Sequence, residues 1–274
     1  MHAILNADYV VNYERYDVLL NAINAVKEQK TGVELSCYYE RPDFMAAQAT
    51  KVPMFAGCPI TLHGPFTNIE AASEPGSLEQ ERYIDAWRYA FDVYAAYGAQ
   101  SIVLHTHKVR DIAPEDMEKL RAWSMDTIQK VAKIAIDRKV KLTVENVGHW
   151  VKNKQLFHEE QFIGIFDQLP EEIGCLIDVG HALINRWDIA HVINTLGKRI
   201  TSYHLHNNNG CADSHRPLFE AGNRYTAQEM IDLLLLTNKC SPDAEWILEY
   251  SPNSGADHEL LTHDLRTLAL LNCK

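Results

Sequence analysis

Short runs rich in β-branched residues alternate along the chain with longer stretches of helical period. Eight runs read as strands: 2–6 (HAILN), 33–37 (VELSC), 60–63 (ITLH), 101–106 (SIVLHT), 140–146 (VKLTVEN), 174–179 (GCLIDV), 200–206 (ITSYHLH) and 245–250 (EWILEY). Helical patterns lie between them. The stretch 17–29 places Leu20, Ile23 and Val26 on one face, with Gly32 expected to stop it. The stretch 82–98 is amphipathic and ends at Gly98, a natural C-cap. Residues 115–139 follow Pro114, a usual helix start. Thr226 and Glu229 form a capping-box pattern ahead of 226–236, and HELLTHDLRTLALL closes the chain. On these helices Trp87, Tyr94 and Leu233 read as core.

Repeated strand–helix units demand parallel strands and right-handed crossovers. Eight in succession predict an α/β fold, a single (β/α)₈ TIM barrel, over residues 1–274. A doubly wound open sheet would usually carry a Gly-rich phosphate turn after its first strand, and none occurs here. The 274-residue length suits one large barrel with its own core.

In such a barrel all strands point the same way, and active sites form at their C-terminal ends. Those ends are polar in this chain. They supply His63 (LHGPF), His105 and His107 (VLHTH), Glu145 (TVEN), Asp178 and His181 (IDVGH), His204 and His206 (YHLHNN), and Glu249 (ILEYS). The loop after the seventh strand adds Asp213 and His215. A ring of imidazoles and carboxylates suits a divalent cation, because crowded carboxylates alone would repel and take up protons. Glu145, Asp178, His204 and Glu249, on four consecutive strands, make the strongest set. His63 and His105 read equally as ligands or as hydrogen-bonded pocket residues. Strand alternation turns His107 away from His105, which suggests a structural role. His206 shares the phase of His204, so periodicity does not separate them, and Glu34 is a weaker pocket candidate. His2, His149, His158, His191, His258 and His263 read as surface or local contacts.

Composition narrows the function. The hydrophobic fraction is 46% and the charged fraction 23%, as in soluble globular proteins. No apolar run is long enough to span a membrane, and MHAILNADYV shows no signal-peptide pattern. The six cysteines form no CxxC pair, which suggests a reduced, cytoplasmic protein. A net charge of −11 disfavours nucleic acid as a partner.

The motifs LHGPF, TVEN, IDVGHA, YHLHNN with DSH, and ILEYS together resemble the xylose isomerase-like barrels, a superfamily of sugar isomerases and epimerases that also holds the endonuclease IV (AP endonuclease family 2) group. The resemblance covers nearly the whole chain. It implies one divalent ion, such as Mn²⁺, Zn²⁺ or Co²⁺, on Glu145, Asp178, His204 and Glu249, as in the epimerase-like members. Endonuclease IV holds three Zn²⁺ with five further ligands, which match His63, His105, His181, Asp213 and His215. This chain departs from that enzyme in HLHN at 204–207, where endonuclease IV has HLND. It also has Thr106–His107 in place of a Pro–Gly, and an acidic loop at 67–80. An acidic rim opposes the phosphate contacts that supply most non-specific DNA affinity.

The expectation is therefore a metal-dependent isomerase or epimerase of a sugar, sugar phosphate or polyol, working through an enediolate with one to three ions. Glu145 and Glu249 would exchange the proton, their pKa values lifted by burial. His181 and Arg216 would orient hydroxyls or a phosphate, with His63 and His105 lining the pocket. The alternatives are a Zn-dependent phosphodiesterase like endonuclease IV and a metal-binding partner protein without turnover. A homo-oligomer is left open.

Overall fold

The computed structural model describes residues 3–10, 12–26, 31–108, 112–149 and 155–271. Eight parallel strands close into a barrel in sequence order. They are β1 (Ala3–Asn6), β2 (Thr31–Ser36), β3 (Ile60–His63), β4 (Ile102–His105), β5 (Leu142–Glu145), β6 (Gly174–Asp178), β7 (Ile200–Leu205) and β8 (Glu245–Leu248). Around them run α1 (Tyr16–Asn24), α2 (Pro42–Lys51), α3 (Leu78–Tyr97), α4 (Met117–Asp137), α5 (Glu159–Ile163), α6 (Val179–Asn185), α7 (Ile189–Leu196), α8 (Ala227–Cys240) and α9 (His258–Leu271). The main core fills the space between barrel and helices and includes Trp87, Phe91, Tyr203 and Trp246. A second, separate cluster of Ile4, Val103, Leu176 and Ile247 plugs the barrel itself. That apolar plug is the floor on which the polar strand ends stand.

Several sequence expectations shift. The first helix ends at Asn24, and Gly32 lies inside β2 rather than at a helix end. Leu19, Ile23 and Val26 are buried in this region, whereas Leu20 only packs against the core edge. The expected segments at 2–6 and 17–29 include His2 and residues 27–29, which lie outside the described residues. The helix expected from 82 starts at Leu78, because the Ser77 hydroxyl accepts the Gln80 N–H and caps it. Gly98 ends it in the left-handed conformation at φ 63°, where glycine carries no Cβ penalty. Thr226 and Glu229 form the reciprocal box ahead of α8. Trp87 and Leu233 are buried, and Tyr94 is partly so. The run expected at 174–179 ends at Asp178, whose carboxylate accepts the His181 N–H at 2.6 Å and starts α6 there. The carboxylate at the lip of that strand thus caps the short helix whose first turn carries the imidazole. Glu249 sits one residue beyond β8.

Candidate metal centre

Register places the strand-end groups side by side. His105 pairs with Glu145 across β4–β5, and Asp178 with His204 across β6–β7. His204 Nδ1 lies 3.3 Å from Glu145 Oε1, 3.1 Å from Glu249 Oε2 and 3.8 Å from Asp178 Oδ2. The four residues therefore surround one point. Glu145 Oε2 lies 3.1 Å from His105 Nε2, yet neither atom has a hydrogen-bond partner among the described residues. Glu249 Oε2 is likewise without one. Close atoms that are not aligned for mutual hydrogen bonding fit ligands aimed at a shared cation better than a bonded pair.

The histidines show how this comes about. A backbone carbonyl can only accept, so an imidazole nitrogen beside one must carry the proton. His63 Nδ1 faces the Gly64 carbonyl at 3.1 Å, His181 Nδ1 that of Asn146 at 2.9 Å, and His215 Nδ1 that of Glu249 at 3.0 Å. Each spends its N–H on the backbone and turns Nε2 inward. His204 is reversed. Its Nε2 meets Glu34 Oε1 at 3.0 Å, leaving Nδ1 for the centre. Second partners of this kind orient metal-bound imidazoles. On the outer side, His181 Nε2 lies 3.1 Å and His215 Nε2 3.3 Å from the two oxygens of Asp213. At the barrel mouth ligand atoms thus fall into four overlapping groups: His63, His105 and Glu145; Glu145, Asp178 and His204; Asp178, His206 and Glu249; and His181, His206, Asp213 and His215.

Electrostatics agree with the geometry. Burial pushes the Glu145 carboxyl up, but the facing His105 and His204 overcome it and hold it well below the usual range. Burial also raises Glu249, and His204 with His215 brings it far below that range. The two are therefore not lifted toward neutrality as the sequence suggested, because imidazoles outweigh desolvation. Burial lowers His181 and His204, but their carboxylate neighbours raise both well above the ordinary imidazole value. His215 is raised to about 9, with the Asp213 hydrogen bond and Glu249 outweighing burial. Without a cation, these rings balance the carboxylates by holding protons.

Of the residues anticipated from sequence, Arg216 is not brought into the cluster. Its Nε donates to Glu220 at 3.1 Å, and its backbone pairs with Asn207 outside the cavity. His107 is buried and lines the same cavity as His105, because it lies beyond the end of β4, where alternation no longer holds. His149 is buried too, its amide donating to Asn185 Oδ1. His158, His191, His258 and His263 are exposed. Sequence reasoning missed Asn6, which donates to Glu34 at 2.8 Å and Glu249 at 3.2 Å. It also missed Asn146, whose side chain brackets Asp178 by meeting that residue's backbone N–H and C=O. Both are polar residues at or just past a strand end, the same signal that marked the others. A cavity of about 340 Å³ opens beside the cluster, walled by Phe66, Ile69 and Val147 and touching His105, His181 and Asp213.

The family model described as xylose isomerase-like TIM barrel matches residues 39–263. The uncharacterized protein MJ1311 of Methanocaldococcus jannaschii is 24% identical over 166 residues, which span 59% of this chain and 55% of that relative. Among solved structures, a D-tagatose 3-epimerase-like protein superposes with a TM-score of 0.75 at 17% identity, over 99% of this chain and 98% of the other. The TTHB071 protein of Thermus thermophilus, soaked with ZnCl₂, gives 0.73 at 19% identity, over 98% of each chain. An AP endonuclease, family 2, of Brucella melitensis gives 0.70 at 14% identity, over 95% of this chain and 96% of the other. At these identities the likeness shows the shared fold.

Proposed function

The chain belongs to the xylose isomerase-like TIM barrel family, and on that premise we propose that it is a divalent-metal-dependent isomerase or epimerase of a small sugar, sugar phosphate or polyol. The observation that carries this reading is the orientation of the imidazoles. His63, His181, His204 and His215 each commit one nitrogen to an outer acceptor and turn the other toward ionised carboxylates. Glu145, Asp178, His204 and Glu249 would hold the principal ion, of the Mn²⁺, Zn²⁺ or Co²⁺ type, and the flanking groups offer places for one or two more. A bound ion supplies Lewis acidity that polarises adjacent carbonyl and hydroxyl oxygens.

The chain's own residues do the rest. Glu145 and Glu249 come from β5 and the end of β8 and flank His204 Nδ1. Held ionised, each could act as a base toward its own face of the substrate carbon: one would take the proton, and the other would have to pick one up from solvent before returning it to the opposite face. Asn6 fixes Glu249 through its other oxygen, and His105 lies against that of Glu145. The cavity suits a small substrate. Among the described residues the only lysine or arginine lining it is Lys108, too little basic surface to track a polymer. We read residues 1–274 as one catalytic domain of the cytoplasm. Among the described residues no helix is long and apolar enough to cross a membrane, and five cysteines are free.

The second reading, a Zn-dependent phosphodiesterase, is favoured by the spread of the ligand atoms over more than one overlapping group. One experiment separates them. Metal-loaded protein is incubated in D₂O with a panel of ketoses, aldoses and their phosphates, and in parallel with a chromogenic phosphodiester. Deuterium at a substrate carbon, with a new epimer or isomer, supports the first reading. Phosphodiester cleavage with no sugar conversion replaces it with the second.

A further inference from the structure

His206 is fully buried and stands within two of the ligand groups, but neither the proton transfer nor the principal ion site uses it. Its Nε2 lies 3.1 Å from both carboxylate oxygens of Asp178. Its ring stacks on His215, with centroids 3.8 Å apart and planes inclined by 6°. The ring also lies against Gly180, where an added Cβ would fall 1.9 Å from ring Cε1, so only glycine admits the imidazole there.

The stacking argues against His206 as a ligand of the outer group. Two imidazoles on one ion must aim their lone pairs at a common centre. Parallel rings 3.8 Å apart aim side by side. The Nδ1–H of His215 is committed to the Glu249 carbonyl, so its Nε2 is the atom facing Asp213. That leaves His206 Nε2 to Asp178, whose two oxygens at 3.1 Å are acceptors for an N–H there. His215 is also held at φ 43°, a left-handed conformation that a non-glycine residue keeps only where its surroundings fix it.

We propose that His206 is a positioning residue that serves two ligand groups at once. Its Nε2–H orients Asp178 in the inner group, and its ring face holds His215 in the outer one. The inference rests on the metal-binding reading of the site. It gives the fourth residue of YHLHNN a purpose that strand phase alone could not distinguish from that of His204.

Two substitutions divide the two tasks. His206→Gln keeps an N–H near the position of Nε2 but removes the aromatic face. His206→Phe keeps the face and removes the donor. Full-length protein stripped with chelator is titrated with Zn²⁺, and Asp213→Asn marks which equivalent belongs to the outer group. Outer-partner changes of this kind cost roughly 10–100-fold in affinity. His206→Phe should weaken the inner equivalent on that scale and leave the outer within about threefold. His206→Gln should do the reverse. Thermal melts of the stripped proteins check folding, and should one variant fail to fold, the other still decides by which equivalent it loses. Both variants losing the two equivalents alike, or neither losing either, overturns the proposal. So does wild-type protein that binds a single ion. Wild-type protein that binds none removes the metal reading itself, a different result from two ions bound without separation by the variants.

Discussion

At the residue scale, the site gives His181 and His215 two unlike neighbours each. His181 and His215 donate to backbone carbonyls on one side and meet Asp213 on the other. The arrangement has a consequence for pH. In metal-free protein the pKa of His215 is raised to about 9, above an unfolded value of about 6.5. A raised imidazole contributes stability that is complete below about 6.5 and lost as pH climbs through about 9. The chelator-treated protein should therefore melt at falling temperatures across that window. Zn²⁺ affinity should rise over the same window, because the bound proton must leave before the ion enters. Melting curves with and without Zn²⁺ from about pH 6 to about pH 9.5 check both signs. The two glutamates give a kinetic counterpart. Glu145→Gln and Glu249→Gln should each lower kcat by about 10²-fold or more while the protein retains metal. A loss explained entirely by lost ion, measured in the same samples, would reduce the two residues to ligands.

At the element scale, caps aim the chemistry. Asp178 ends β6, accepts the His181 amide and starts α6, so one carboxylate sets a helix and faces the site. This was partly legible: IDVGH shows a strand followed by Asp and His, but not that the Asp also caps. Ser77 was missed although Gln80 follows three residues later. The Gln80 side chain serves Gly76 and Lys130 rather than closing a box on Ser77. Replacing Ser77 by Ala should cost about 1 kcal/mol of stability, measured by urea unfolding. An unchanged midpoint would show that α3 is held by its buried face alone.

At the scale of the whole molecule, the barrel was readable because period-2 and period-3.6 patterns alternate eight times. Parallel strands then force their ends onto one rim. That inference alone brought His63, His105, Glu145, Asp178, His181, His204 and Glu249 to one place. What it could not reach was loop geometry. Arg216 turned out to pair with Glu220, and His107 entered the cavity, because neither lies on a strand whose phase would fix its direction. Nor could phase distinguish His204, which meets Glu34 below and the carboxylates above, from His206, which stacks on His215.

The claim on which the rest depends is that this rim holds divalent metal. Elemental analysis of the full-length protein, purified without chelator and without an affinity tag that binds metal, tests it most directly. The account predicts between one and three equivalents of a transition metal per chain, falling when Asp178 and His204 are replaced by Asn. A wild-type protein free of metal, still free after incubation with Mn²⁺, Co²⁺ and Zn²⁺, would contradict it.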